Sequence, residues 1–366
     1  MSLKLKHFVP TLIYTGLLYG LLCSTSIGQN IEDEMSGYST SPSVLPVRNT
    51  NNQLVARGTL LQDGLLLIPE STNDRVMAFD PLSGDLIDPD FIPADPTNLS
   101  TPIHAILSAD SSSILVSDQI NDVVQQYDLD GNYLGVFAPA GGVDTSVLDN
   151  IRGMSLDASG HLLVTVGGGT NDDAVAQFDL SGIYEGNLVT NGAGGLDSPF
   201  DVIQYSSGGF LVGGITSDNI MAFDASGTYL SDLTSIDTFP EQLFQQDNGN
   251  LLVANFTGAE EGIVEYTSAG TLVGIYNPPS LGGYRGVYEL PNGNILTTNG
   301  DGVHEIDRSG NLVETKVSGV SARFISLINF GPQAPPPMVP SNTVWGLVIL
   351  AVMITLLVFR RRLSQK

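Results

Sequence analysis

Cysteine is nearly absent from this chain: the single one, Cys23, lies within the N-terminal segment of residues 1–28. Beyond that segment there is no thiol, which excludes disulfides, thiolate catalysis and cysteine-bound metals from the rest of the protein. Basic residues are scarce too, 14 Lys and Arg against 39 Asp and Glu, for a formal net charge of −25. Six of the 14 sit in the two chain ends, and every acidic residue lies between those ends. Such a body repels nucleic acid and anionic lipid surfaces, so no nucleic-acid partner is expected. Catalytic signatures are missing as well. No G-x-S-x-G elbow occurs, and Gly167-Gly168-Gly169 lacks the lysine of a phosphate loop. No nucleophile–base pair stands out, so no catalytic residue is assigned.

The ends carry targeting chemistry. Lys4 and Lys6 precede an apolar run at residues 8–22, with small residues at Ser26 and Gly28. This is the layout of a secretory signal peptide over residues 1–28. Residues 29–51, with Glu32, Asp33 and Glu34 among Ser, Asn and Pro, read as a flexible leader. At the other end, residues 331–341 form a proline-rich linker. An uncharged apolar run follows at residues 345–359, and then Arg360, Arg361 and Arg362. Taken from Asn342, that run is long enough for one transmembrane helix, and the arginine cluster places its end in the cytoplasm. The protein is therefore expected to be exported, membrane-anchored or on the bacterial cell surface, with its body outside the cytoplasm. Residues 342–366 resemble the IPTL-type C-terminal sorting signals of Gram-negative bacteria, with Ser341-Asn342 where Thr-Leu usually follows the proline. The resemblance implies a sorting or processing enzyme as partner, while a permanent membrane anchor is the other reading.

Between the ends, residues 52–330 repeat at a period of roughly 40–50 residues, the mark of a propeller or solenoid. Six apolar strands recur as LLLIPE, ILVSD, LLVTV, FLVGG, LLVAN and ILTTN. Each is followed by a strand and turn such as VMAFDPLSG or AVAQFDLSG, closing on Gly84, Gly131, Gly182, Gly227, Gly270 or Gly310. The aromatic residues repeated in these strands, Phe79, Tyr127, Phe178, Phe223 and Tyr266, read as core. Four antiparallel strands per copy, repeated six times, predict an all-β, six-bladed β-propeller. Residues 320–330 either clasp the first blade or begin a seventh; the clasp is preferred. The pattern resembles NHL-type and TolB-like six-bladed propellers.

Aligning the first strand of each copy gives a polar column: Arg57, His104, Arg152, Asp201, Gln242, Arg285 and the terminal Arg323. First strands line the central channel of a propeller, so these residues should ring one mouth. Like charges about 10 Å apart repel by roughly 1.7 kcal/mol at an effective dielectric of 20, so such a ring needs anions. Second strands run back to the same mouth, ending at Glu70, Asp118, Asn255 and Asn299 in four copies. Three readings follow. In the first, Arg57, Arg152 and Arg285 pair with Glu70, Asp118 and Asp201 and plug the mouth. In the second, part of the ring stays unpaired and holds an anionic ligand through arginine forks. In the third, Glu70, Asp118, Asn255 and Asn299 hold a divalent cation such as calcium through oxygen ligands. That set resembles, in residue types alone, the metal site of gluconolactonase-type propellers. The expected function is a non-enzymatic module for an extracellular ligand or protein; the alternative is a metal-dependent hydrolase of gluconolactonase-like type. His161, His304 and the Asp128–Asn132 turn are given structural roles.

Overall fold

The computed structural model describes residues 64–205 and 208–329, together with two short paired strands, Val47–Arg48 and Leu54–Val55. The signal peptide, the linker and the sorting tail expected from the sequence lie outside the described residues, as does Arg57. Among the described residues no helix is long and apolar enough to cross a membrane.

Six four-stranded antiparallel sheets follow one another along the chain. Blade 2 has Pro102–Leu107, Ser113–Asp118, Val123–Asp128 and Tyr133–Ala138, from the axis outward. Blade 3 begins at Ile151–Leu156, blade 4 at Pro199–Gln204, blade 5 at Pro240–Gln245 and blade 6 at Gly286–Glu289. Blade 1 differs. Its second to fourth strands are Leu65–Glu70, Arg75–Phe79 and Leu86–Ile92, and its innermost strand is the C-terminal Ser326–Ile328. The terminal segment thus clasps the first blade, and the ring has six blades. Leu54–Val55, placed by sequence alignment where blade 1 would start, pairs with Val47–Arg48 instead.

The burial pattern explains the strand sequences. Second strands such as Leu65–Glu70 are buried along their whole length. Their two faces meet different neighbours, so they read as unbroken apolar runs rather than alternating ones. Leu65 and Leu67 pack with Ala105, Ile114 and Val116 of blade 2. Leu66 and Ile68 pack with Leu290, Leu296 and Val303 of blade 6. Equivalent clusters join blades 2 and 3, 3 and 4, 4 and 5, and 5 and 6. No blade buries both faces of its second strand without two neighbours, so stability is a property of the closed ring. The fourth strands face solvent, as in Tyr229–Ser235.

Two polar devices repeat. Asp80, Asp128, Asp179, Asp224 and Asp307 each begin the turn between third and fourth strands and accept backbone N–H groups within it. The closing glycine of that turn also meets the preceding blade. A Cβ on Gly182, whose φ is +76°, would collide with the Phe137 carbonyl of blade 2. The second device bridges blades. Asp74, Asp122 and Asp173, each just before a third strand, accept N–H bonds from Thr101, Asn150 and Ser198, at 2.8, 2.7 and 2.7 Å. Those donors lie at or next to the start of the following blade's first strand.

Gly182→Ala should therefore cost about 1–3 kcal/mol, from left-handed backbone strain plus the collision. Gly249→Ala, with a φ of +86° and open space around it, tests the strain alone and should cost less. Urea denaturation of both variants checks this; equal losses would remove the inter-blade role assigned to Gly182.

Candidate functional site

Strand pairing resolves the polar column read from the sequence into two adjacent rows. The first strands carry an irregularity near their start, between Pro102 and Ala105, Ile151 and Met154, Pro199 and Asp201, and Pro240 and Leu243. Matching each strand by its partners puts Arg323, Ile103, Arg152, Phe200, Glu241 and Arg285 in the row at the mouth. Phe324, His104, Gly153, Asp201, Gln242 and Gly286 form the next row inward.

The inner row is a hydrogen-bonded belt between blades. His104 Nδ1 accepts the Met154 N–H of blade 3 at 3.0 Å, so its proton sits on Nε2, 2.6 Å from Ser326 Oγ of the clasp. Asp201 accepts the N–H groups of Val202 and of Leu243 in blade 5, both at 2.9 Å. Gln242 reaches across the axis: its Oε1 accepts from Val287 and Ile325, and its Nε2 donates to the Ile325 carbonyl at 2.7 Å. Phe324 completes the row, with its ring 5.2 Å from His104 and 5.8 Å from Phe200. The belt uses up these side chains and closes the centre below the mouth. Burial pushes the His104 ring down to about 3 and raises the Asp201 carboxyl well above the ordinary aspartate range.

The mouth row is different, because its charges are not balanced. Arg152 Nη1 donates to Ser198 Oγ at 2.9 Å and to the Pro199 carbonyl at 3.0 Å, and its guanidinium lies 4.8 Å from the Phe200 ring. Arg285 donates to Ser321 Oγ at 2.5 Å and lies over Phe256. Arg323 Nε donates to Ser71 Oγ at 3.2 Å. Among the described residues, no ion pair within 4.0 Å joins any of these three to a carboxylate. The one acid in their row is Glu241, 2% exposed, with an Oε2 that has no hydrogen-bond partner. The Nε atoms of Arg152 and Arg285 also lack partners. Burial raises the Glu241 carboxyl to about 7 against the pull of Arg285, Arg323 and Arg152. Burial lowers Arg152 and Arg323 to about 10. Neutral oxygens and aromatic faces thus position three guanidinium groups around one buried acid.

The acids expected to plug the mouth are used elsewhere. Glu70 pairs with Arg75 at 2.6 Å and accepts N–H bonds from Thr72 and Asn73. Asp118 accepts from the backbone of Ser100 and Asn121. Asn299 Oδ1 accepts from Asp301, Gly302 and the His304 ring, while Asn255 Nδ2 donates to the Asp237, Thr257 and Glu260 carbonyls. Each residue of the candidate metal set thus organises the loop after its own second strand. Among the described residues no group of three or more His, Cys, Asp or Glu is placed to hold a metal ion.

Sequence reasoning missed Glu241. Its signal was its place directly before Gln242, and the irregularity at the strand start made the two rows look like one. The inter-blade aspartates were missed as well, although an Asp stands before the third strand in four copies, at Asp74, Asp122, Asp173 and Asp218.

These observations define a six-bladed β-propeller. Among solved structures the chain is similar to one in a nidogen–laminin complex, with a TM-score of 0.57 and 15% identity over 71% of this chain and 97% of that one. It is also similar to a Bacteroides caccae protein of unknown function, with a TM-score of 0.52 and 17% identity over 72% and 98%. A Xanthomonas campestris gluconolactonase gives a TM-score of 0.51 and 20% identity over 61% and 78%. At such identities the likeness is one of fold. No protein-family model matches the sequence, and neither does any curated protein.

Glu241 makes stability depend on pH in a definite sense. Its carboxyl is raised from 4.5 to about 7 on folding, so its contribution is full below about 4.5 and is lost as pH rises through about 7. Glu241→Gln removes that loss, and the variant should gain about 3 kcal/mol on the wild type between pH 4 and pH 8. Denaturation at both pH values measures it. A constant difference between the two proteins would contradict the placement of Glu241.

Proposed function

We propose that this chain is an exported, non-enzymatic binding propeller whose channel mouth recognises the anionic group of an extracellular ligand or partner protein. The observation that carries the reading is the trio Arg152, Arg285 and Arg323, held around a single acid in a chain of net charge −25. Guanidinium groups that are buried, as Arg152 is, or half-buried, as Arg285 and Arg323 are, are costly without a close counter-ion, and a planar carboxylate or other oxyanion satisfies them through paired hydrogen bonds. A location outside the cytoplasm is supported by the signal-peptide pattern at residues 1–28 and the apolar run with its arginines at residues 342–366. That tail is also the proposed substrate of a sorting enzyme.

The hydrolase reading has less support. Its four ligand candidates are engaged by their own loops, although Asn255 Oδ1 is unpartnered. The fold shared with a gluconolactonase carries no chemistry by itself.

Thermal-shift measurements on the purified full chain separate the two readings. Malonate and gluconate should raise the melting temperature while glucose leaves it unchanged, and Arg285→Ala should abolish the effect. Lactone hydrolysis that disappears with chelator, or with Glu70→Ala, would overturn the binding reading in favour of the enzyme.

A further inference from the structure

Resting on the reading of the mouth as an anion socket, we infer that the socket takes a doubly charged ligand, a divalent oxyanion or a dicarboxylate, and that its binding draws one proton onto Glu241.

The charges facing the site set the count. Arg152 comes from blade 3, Arg285 from blade 6 and Arg323 from the clasp, and all three act on Glu241 of blade 5. Asp173 lies within electrostatic range of Arg152, its carboxylate already holding the Ser198 N–H. The inner row contributes no free charge, because burial keeps His104 neutral and disfavours ionisation of Asp201. Glu70, at the end of the neighbouring second strand, is neutralised by Arg75. Among the described residues, three cations face two anions when Glu241 is ionised. With Glu241 protonated, the excess becomes two positive charges, which a dianion balances and a monoanion does not.

The geometry favours the same state. Glu241 is enclosed and its Oε2 has no donor among the described residues, so no hydrogen bond to that oxygen rewards its ionisation. The three arginines act on it only from beyond ion-pair distance. A dianion among the same arginines repels an ionised Glu241 and accepts a hydrogen bond from a protonated one. Binding and protonation are therefore linked in the same direction. Because the carboxyl titrates at about 7 in the free protein, the linkage falls near neutral pH.

Calorimetry on the full chain tests this with sulfate, whose charge is fixed at two across the range, and with methyl sulfate, which has the same oxygens and one charge. Sulfate should bind tighter by on the order of tenfold or more. Its affinity should fall as pH rises from about 6 to about 8.5. In two buffers of different ionisation heat at about pH 8, binding should take up close to one proton. Glu241→Gln should keep sulfate binding and lose both the uptake and the pH dependence. Malonate in place of sulfate should behave alike above its own titration range. Should sulfate bind without proton uptake, or no tighter than methyl sulfate, this inference falls and the anion socket stands. If sulfate, methyl sulfate and malonate all fail to bind at every pH, the socket reading falls with it. A Glu241→Gln variant that does not fold leaves the wild-type uptake and the sulfate to methyl sulfate ratio to decide.

Discussion

The ladder between Ser326–Ile328 and Leu65–Leu67 is the interaction on which the rest of the molecule depends. Without it, blade 1 has only three strands and the apolar faces of blades 6 and 1 lack part of their shared core. Val320, Ala322 and Ile325 contribute to that core directly. The same segment supplies the axis: Arg323 N–H bonds the Pro69 carbonyl at 2.9 Å and Phe324 N–H bonds the Ile103 carbonyl at 3.2 Å. From there Phe324 fills the centre, Ser326 meets His104, and Ile325 holds Gln242. Closing the ring and building its centre are one event.

That event also creates the charge imbalance at the mouth. Arg323 arrives with the clasp and joins Arg152 and Arg285, which come from blades on opposite sides of the ring. Their fixing bonds go to serine hydroxyls, main-chain carbonyls and aromatic faces rather than to acids. A purely structural plug would pair each guanidinium with a carboxylate. The chain has acids in plenty, and elsewhere it uses them that way: Arg308 bridges Glu265 and Glu289, and Lys316 bridges Asp85, Glu305 and Glu314. Among the described residues the mouth stands apart from this habit, with one buried acid for three cations.

The blades were legible from sequence because their signals are local and repeated. An apolar run buried on both faces and a glycine that closes a turn recur at each copy, and an Asp caps that turn in five of the six, with Thr267 in the other. The clasp was legible because Arg323 falls in the same first-strand column as Arg57. The site was only half legible. Residue type pointed to Arg152 and Arg285, yet the row each residue joins depends on an irregularity at the strand start that leaves no mark in the sequence. For that reason His104, Asp201 and Gln242 were read as part of the mouth when they form the belt beneath it, and Glu241 was passed over. The surroundings of the candidate metal set were hidden from the sequence for a similar reason. Glu70, Asp118, Asn255 and Asn299 do occupy equivalent strand ends, but sequence position does not show that the following loop takes up their polar atoms.

Amide hydrogen exchange across residues 322–328 tests the clasp, and with it the origin of the mouth, most directly. The account predicts that Arg323, Phe324 and Ile325 exchange as slowly as the second strands, by opening of the whole ring. Fast exchange there, while Leu162–Val166 and Leu251–Asn255 stay protected, would contradict it.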